Sequence, residues 1–152
     1  KKLDLGKRYG DLTKTLGETL LTPTEIYTLD CLALIKLLGE NLRTFSHITG
    51  GGLADNTARV VPDGLSANFD RSTWSLPPEL VFMAHDGGVP QSDYERTWNC
   101  GVGMVAIVDA VSADLTIKAL AARGMQAWVA GSVSATTPGA ARSALEGAYR
   151  KR

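Results

Sequence analysis

The residues best suited to chemistry lie in His47-Ile-Thr-Gly-Gly-Gly-Leu53. Gly50, Gly51 and Gly52 let backbone N–H groups come close to a ligand and adopt positive φ. A helix opening behind them would add unpaired N–H donors and a positive dipole end, which suit a phosphate. The same spacing also makes a tight strand-to-helix turn that holds nothing. No Gly-Lys-Ser/Thr follows, so this is not a Walker A loop. His47, directly before the glycines, has the chemistry to donate to a phosphate or to act as acid or base. It is equally suited to be a satisfied structural residue of a strand.

A second stretch, Arg96-Thr-Trp-Asn-Cys-Gly-Val-Gly-Met104, offers a cation and an amide. Arg96 can pair with an anion, and Asn99 can bond a ligand or shape a cleft; Asn99 and Gly101 can also simply form a turn. Gly101-x-Gly103-x-x-Ala106 imitates a dinucleotide fingerprint. A true fingerprint follows a strand and opens a helix, whereas this one precedes a β-type run. Asp55, Asp70 and Asp93 are far apart, solvated or capping, and no metal ligand is assigned. No Ser/His/Asp nucleophile arrangement is visible. Cys31 and Cys100 form no metal-ligand spacing and read as buried free thiols of a reducing compartment. His85 sits near a helix C-terminus, where the dipole favours a cation, and carries no chemistry.

The elements that must position these residues alternate. A strand is expected at 25–29. Asp30 would cap a helix over 31–42, so apolar on every side that it should be largely buried. A strand at 44–49 leads into the glycines and a helix over 53–59. A strand at 65–70 follows. Pro77 and Pro78 suit the first turn of a helix running to about His85 and stopping at Gly87–Gly88. Ser92 and Glu95 have capping-box spacing for a helix over 93–98. The apolar run 103–108 should be a central strand. Ser112 would cap a helix over 113–123, and 127–133 is a last strand. Pro138–Gly139 breaks the chain before a loose terminal helix over 140–149. Strands alternating with helices give an α/β (α+β) domain.

The chain has 152 residues with 16 basic and 16 acidic side chains, so no net charge argues for a nucleic acid polymer or an anionic membrane. No apolar run approaches the roughly 20 residues of a membrane span, and no signal peptide is visible at the start, which implies a cytoplasmic protein. Lys1 is not Met, and 1–11 lacks a hydrophobic period, so the chain reads as cut from a longer one.

In series, several segments resemble the C-terminal domain of aminoimidazole ribonucleotide (AIR) synthetase, the phosphoribosylformylglycinamidine cyclo-ligase family. They are Leu16-Gly-Glu-Thr-Leu-Leu-Thr-Pro-Thr-Glu-Ile-Tyr27, His47–Leu53, Asn56-x-x-Arg59-Val-Val-Pro-Asp-Gly64, Trp74 with Pro77-Pro78, Gly88-Val89, and Arg96–Met104. Order and spacing fit over 16–133. Glu25 departs from the Arg or Lys common after Pro-Thr, and Trp98 stands where Phe is usual. The resemblance implies a three-layer α/β/α sandwich, partly ferredoxin-like. It divides the chain into a linker remnant at 1–15, the domain at 16–135 and a tail at 136–152.

The resemblance also implies a reaction. Formylglycinamidine ribonucleotide (FGAM) and ATP become AIR, ADP and phosphate. ATP and Mg2+ are held mainly by an N-terminal domain that also forms the homodimer. Thr49 and Gly50–Gly52 become a phosphate or substrate cradle, His47 polarises substrate or moves a proton, and Arg96 and Asn99 line the same cleft. The fragment alone is expected to be inactive, and to self-associate weakly through the apolar face its partner would cover. Alternatives are a related ATP-dependent enzyme (FGAM synthase, selenophosphate synthetase, thiamine-monophosphate kinase, the hydrogenase maturation protein) or a non-catalytic nucleotide-binding module.

Overall fold

A computed structural model describes residues 2–151. Helix α1 (Leu16–Leu20) begins with a capping box in which Thr15 and Glu18 satisfy each other's backbone N–H. Helix α2 (Thr28–Leu38) follows, and its Asp30 lies in the first turn rather than at the cap. There it suits the helix dipole and bonds Arg123. The expected strand at 25–29 is absent: the backbone is irregular up to Tyr27, and α2 takes the rest.

Strand β1 (Leu42–His47) leads to helix α3 (Gly52–Ala58), then strand β2 (Leu65–Asp70). Helix α4 (Pro78–Gly87) has proline at its start and left-handed Gly88 at its end, as the sequence implies. Helix α5 (Gln91–Thr97) has no capping box: Pro90 precedes it, and the Glu95 carboxylate bonds Arg71 instead. Strand β3 (Met104–Val108), helix α6 (Ala113–Ala121), strand β4 (Gly131–Ala135) and strand β5 (Ser143–Glu146) complete the chain. Ser112 makes no side-chain cap; its carbonyl accepts the Thr116 hydroxyl at 2.8 Å.

The strands form two separate sheets. One is the antiparallel pair β1–β3; the other has the order β4-β2-β5, with β4 antiparallel and β5 parallel to β2. The run at 103–108 is therefore not central, since β3 pairs with β1 alone and all its residues are half-buried. The strand expected at 127–133 runs instead over Gly131–Ala135, with Gly131 opposite Phe69, where a Cβ would lie 2.0 Å from the Asn68 carbonyl and only glycine fits. The terminal helix expected at 140–149 is a strand instead. Pairing of Ser143–Glu146 with β2 satisfies backbone groups and buries Leu145 and Tyr149 against the core.

Helix α3 is the hub, touching α5, β1, β2 and β5. The core it completes contains Ile48, Leu53, Val61, Ala67, Phe69, Trp74 and Val102. Helix α2 contradicts the expectation of burial. Only Leu34 and Leu38 are buried, while Ile26, just before the helix, and Leu29, Leu32 and Ile35 are 76%, 69%, 57% and 50% exposed. Within α2, the spacing of three places Leu29, Leu32 and Ile35 on one side. Apolar composition set the helix, but the described residues supply a partner for only one face.

Candidate functional site

The glycine loop links β1 to α3. Gly51 and Gly52 both take left-handed backbone, at φ 102° and 68°. The buried Asn56 side chain organises the loop from inside the helix. Its Nδ2 donates to the carbonyls of Thr49, Gly50 and Gly52 at 3.3, 3.2 and 2.7 Å. Its Oδ1 accepts from the Thr49 hydroxyl at 3.4 Å and from Arg59 Nη1 at 3.2 Å. Three carbonyls are thus turned inward. The Gly52 N–H closes the turn onto the Thr49 carbonyl at 3.1 Å. Among the described residues nothing accepts from the N–H groups of Gly50 and Gly51. Arg59 Nη2 lies 3.5 Å from the point where a Gly51 side chain would begin. Unpartnered N–H groups beside a guanidinium make a surface able to take an anion.

The second stretch packs directly against the first. The Ile48 N–H donates to the Gly103 carbonyl at 2.9 Å, and His47 pairs with Met104 in the ladder. Gly52 sits so close to α5 that a Cβ there would lie 1.7 Å from the Glu95 carbonyl. Asn99 is a turn former: its Oδ1 accepts the Gly101 N–H and its carbonyl accepts the Val102 N–H, each at 3.0 Å. Cys100 and Gly101, the central residues of that turn, both have positive φ, at 52° and 89°. The buried Trp74 indole donates to the Cys100 carbonyl at 3.0 Å and pins the turn from below. Arg96 is exposed on α5, and among the described residues no hydrogen bond or ion pair engages it.

His47 faces elsewhere. It is exposed and borders a cleft of about 460 Å³ with Glu25, Tyr27, Cys31, Leu32 and Met104. Its ring meets Tyr27 edge-on at 6.1 Å. Burial, then the Glu25 charge, raise the Tyr27 phenol above its ordinary value. Thr49, the three glycines, Arg96 and Asn99 do not line this cleft. The site residues read from the sequence therefore fall into two neighbouring places. The glycines and Thr49 share one with α5; His47 has the other.

Sequence reasoning assigned no role to Asn56 or Arg59. The available signal was an Asn four residues after Gly52, inside a helix where Asn is poorly suited unless its amide has work to do, with Arg three positions on along the same side. Burial raises the thiols of Cys31 and Cys100, so neither is poised as a thiolate nucleophile. Among the described residues there is no group of three or more His, Cys, Asp or Glu side chains that could hold a metal ion.

Sequence comparison places this architecture in a class. A family model described as AIR synthase related protein, C-terminal domain, matches residues 1–142, and the chain belongs to that family. Within it the chain is similar to cyclo-ligases. It is 47% identical over 130 residues to a Streptomyces fradiae protein named provisionally as a phosphoribosylformylglycinamidine cyclo-ligase, covering 86% of this chain and 70% of that one. It is 45% identical over 131 residues to the phosphoribosylformylglycinamidine cyclo-ligase of Sorangium cellulosum, covering 86% of this chain and 38% of that enzyme. The Burkholderia cenocepacia enzyme of the same name is 42% identical over 132 residues, covering 87% and 37%. The chain thus spans little more than a third of the length of the last two. Among the described residues no helix is long and apolar enough to cross a membrane.

Proposed function

We propose that this domain forms one wall of the cleft in which a cyclo-ligase closes FGAM to AIR. In that reaction the γ-phosphoryl of ATP passes to the formyl oxygen. The amidine nitrogen attacks the same carbon, the C–O bond breaks, and phosphate and ADP leave as the imidazole ring forms. The task is to hold two phosphorylated ligands face to face and keep water away from the activated amide. One observation carries the reading: the loop at Thr49–Gly52 turns its carbonyls onto Asn56, leaves the Gly50 and Gly51 N–H groups without a partner among the described residues and holds Arg59 beside them.

Thr49, Gly50, Gly51 and Arg59 are proposed to bind a ligand phosphate, with Arg96 as a second cation on the adjoining helix. Asn99 acts by fixing its turn. His47, in the neighbouring cleft, polarises substrate or carries a proton. ATP and magnesium ligands come mainly from an N-terminal domain, as does the homodimer contact. That domain is also the proposed cover of the apolar side of α2. Small water-borne substrates suit the cytoplasm.

The test is Arg59→Ala in the full-length cyclo-ligase polypeptide. Arg59 is exposed, so the fold should survive. Loss of one charge-assisted contact, about 1.5–3 kcal/mol, should lower kcat/KM for FGAM or ATP by about 10- to 100-fold. Unchanged steady-state kinetics for both substrates would remove the loop from the site.

A further inference from the structure

The family match stops at residue 142, yet the next few residues reach the candidate site through a part-buried ionic cluster. Arg71 and Glu95 pair through two contacts of 2.7 and 2.8 Å, with side chains only 14% and 13% exposed. The same carboxylate accepts from Gln91 at 2.9 Å and from the Tyr149 hydroxyl at 2.8 Å. Arg71 also donates to the carbonyls of Leu145 and Gly147 at 2.8 and 3.1 Å, with its guanidinium over the Tyr149 ring. Tyr149 meets Trp74 edge-on, and the Arg150 N–H donates to the Trp74 carbonyl at 3.0 Å.

Two of the groups so fixed touch the site. Glu95 offers its backbone carbonyl as the floor under Gly52, and Trp74 holds the Asn99–Gly101 turn through Cys100. We infer that Tyr149 is a positioning residue: its hydroxyl on Glu95 locks α5, and with it the glycine loop, in the arrangement that leaves the Gly50 and Gly51 N–H groups without a partner among the described residues. A buried charged pair needs such extra hydrogen bonds, because otherwise its remaining lone pairs stay unsatisfied. What the loop binds rests on the reading above; that Tyr149 sets its geometry does not.

The experiment compares amide hydrogen exchange, and affinity for inorganic phosphate, in this 152-residue chain and two variants. Tyr149→Phe keeps the ring on Trp74 and removes only the hydroxyl. Leu145→Ala loosens the same C-terminal strand without touching Glu95. With a positioning role, Tyr149→Phe accelerates exchange at Gly50–Leu53 and Gly101–Val102 by about tenfold or more relative to Leu145→Ala, the scale of one hydrogen bond to a charged group. It also weakens phosphate binding by a similar factor. Acceleration confined to 71–74 and 143–150, or equal at the loop in both variants, would overturn the inference. If the unaltered chain binds no phosphate while the exchange pattern holds, the anion reading fails and the positioning role stands.

Discussion

Gly50 and Gly52 stand two residues apart and should respond very differently to the same added methyl group. At Gly52 the backbone is left-handed at φ 68° and a Cβ would lie 1.7 Å from the Glu95 carbonyl; at Gly50 nothing lies within 4 Å. Gly52→Ala should therefore cost about 3 kcal/mol or more, combining left-handed strain with a backbone clash, whereas Gly50→Ala should stay within about 0.5 kcal/mol. Urea midpoints of the two variants check this. Glu95 gives a second test. Burial works to raise its carboxyl, but hydrogen bonds from Arg71, Gln91 and Tyr149 outweigh that and hold it below the ordinary 4.5. A depressed carboxyl contributes stability that is complete above the unfolded value and is lost as pH falls through the folded one. Thermal stability should thus decline below about pH 4.5, and Glu95→Gln, less stable at pH 7, should show a flatter acid limb. An equal decline in both proteins would assign acid sensitivity to other groups.

Among the elements, those with local punctuation were legible in the sequence. Proline at the start and glycine at the end bound α4, and the alternation of apolar Leu65, Ala67 and Phe69 with polar residues marked β2 at 65–70. Those defined by distant partners were not. Residues 143–146 have no periodicity marking them as a strand; they become one because β2 has a free edge beside them. Ser92 and Glu95 matched a capping box, but a buried Arg71 outcompetes a backbone N–H for the carboxylate. Helix α2 was read as buried because composition reports apolar content and not who covers it. Its two sides should separate in experiment. Leu34→Ala, in the core, should cost about 2–5 kcal/mol, while Leu32→Glu, on the exposed side, should stay within about 0.5 kcal/mol.

For the whole molecule, Ile26, Leu29, Leu32 and Ile35 make an apolar stripe larger than scattered surface residues explain. This chain on its own should self-associate weakly with rising concentration in light scattering, and Leu32→Glu should abolish the trend. A wild-type chain that stays monomeric at millimolar concentration would mean that the stripe needs no cover. The candidate site was legible in the sequence as two stretches, His47–Leu53 and Arg96–Met104, which pack together through the Ile48–Gly103 bond and the Gly52–Glu95 contact. The division of these residues between a loop surface and a separate cleft was not legible. Alternation along β1 sends His47 to a side bordered by α2, the 25–27 segment and Met104, and that depends on tertiary packing.

The two thiols occupy very different surroundings. Cys31 is at the rim of the open cleft, whereas Cys100 is 1% exposed under the turn that Trp74 pins. A thiol-specific label should therefore find Cys31 before Cys100, and reach Cys100 only when that turn swings outward. The ratio of the two labelling rates then reads, without any ligand or enzyme assay, how often the wall beside the glycines comes apart.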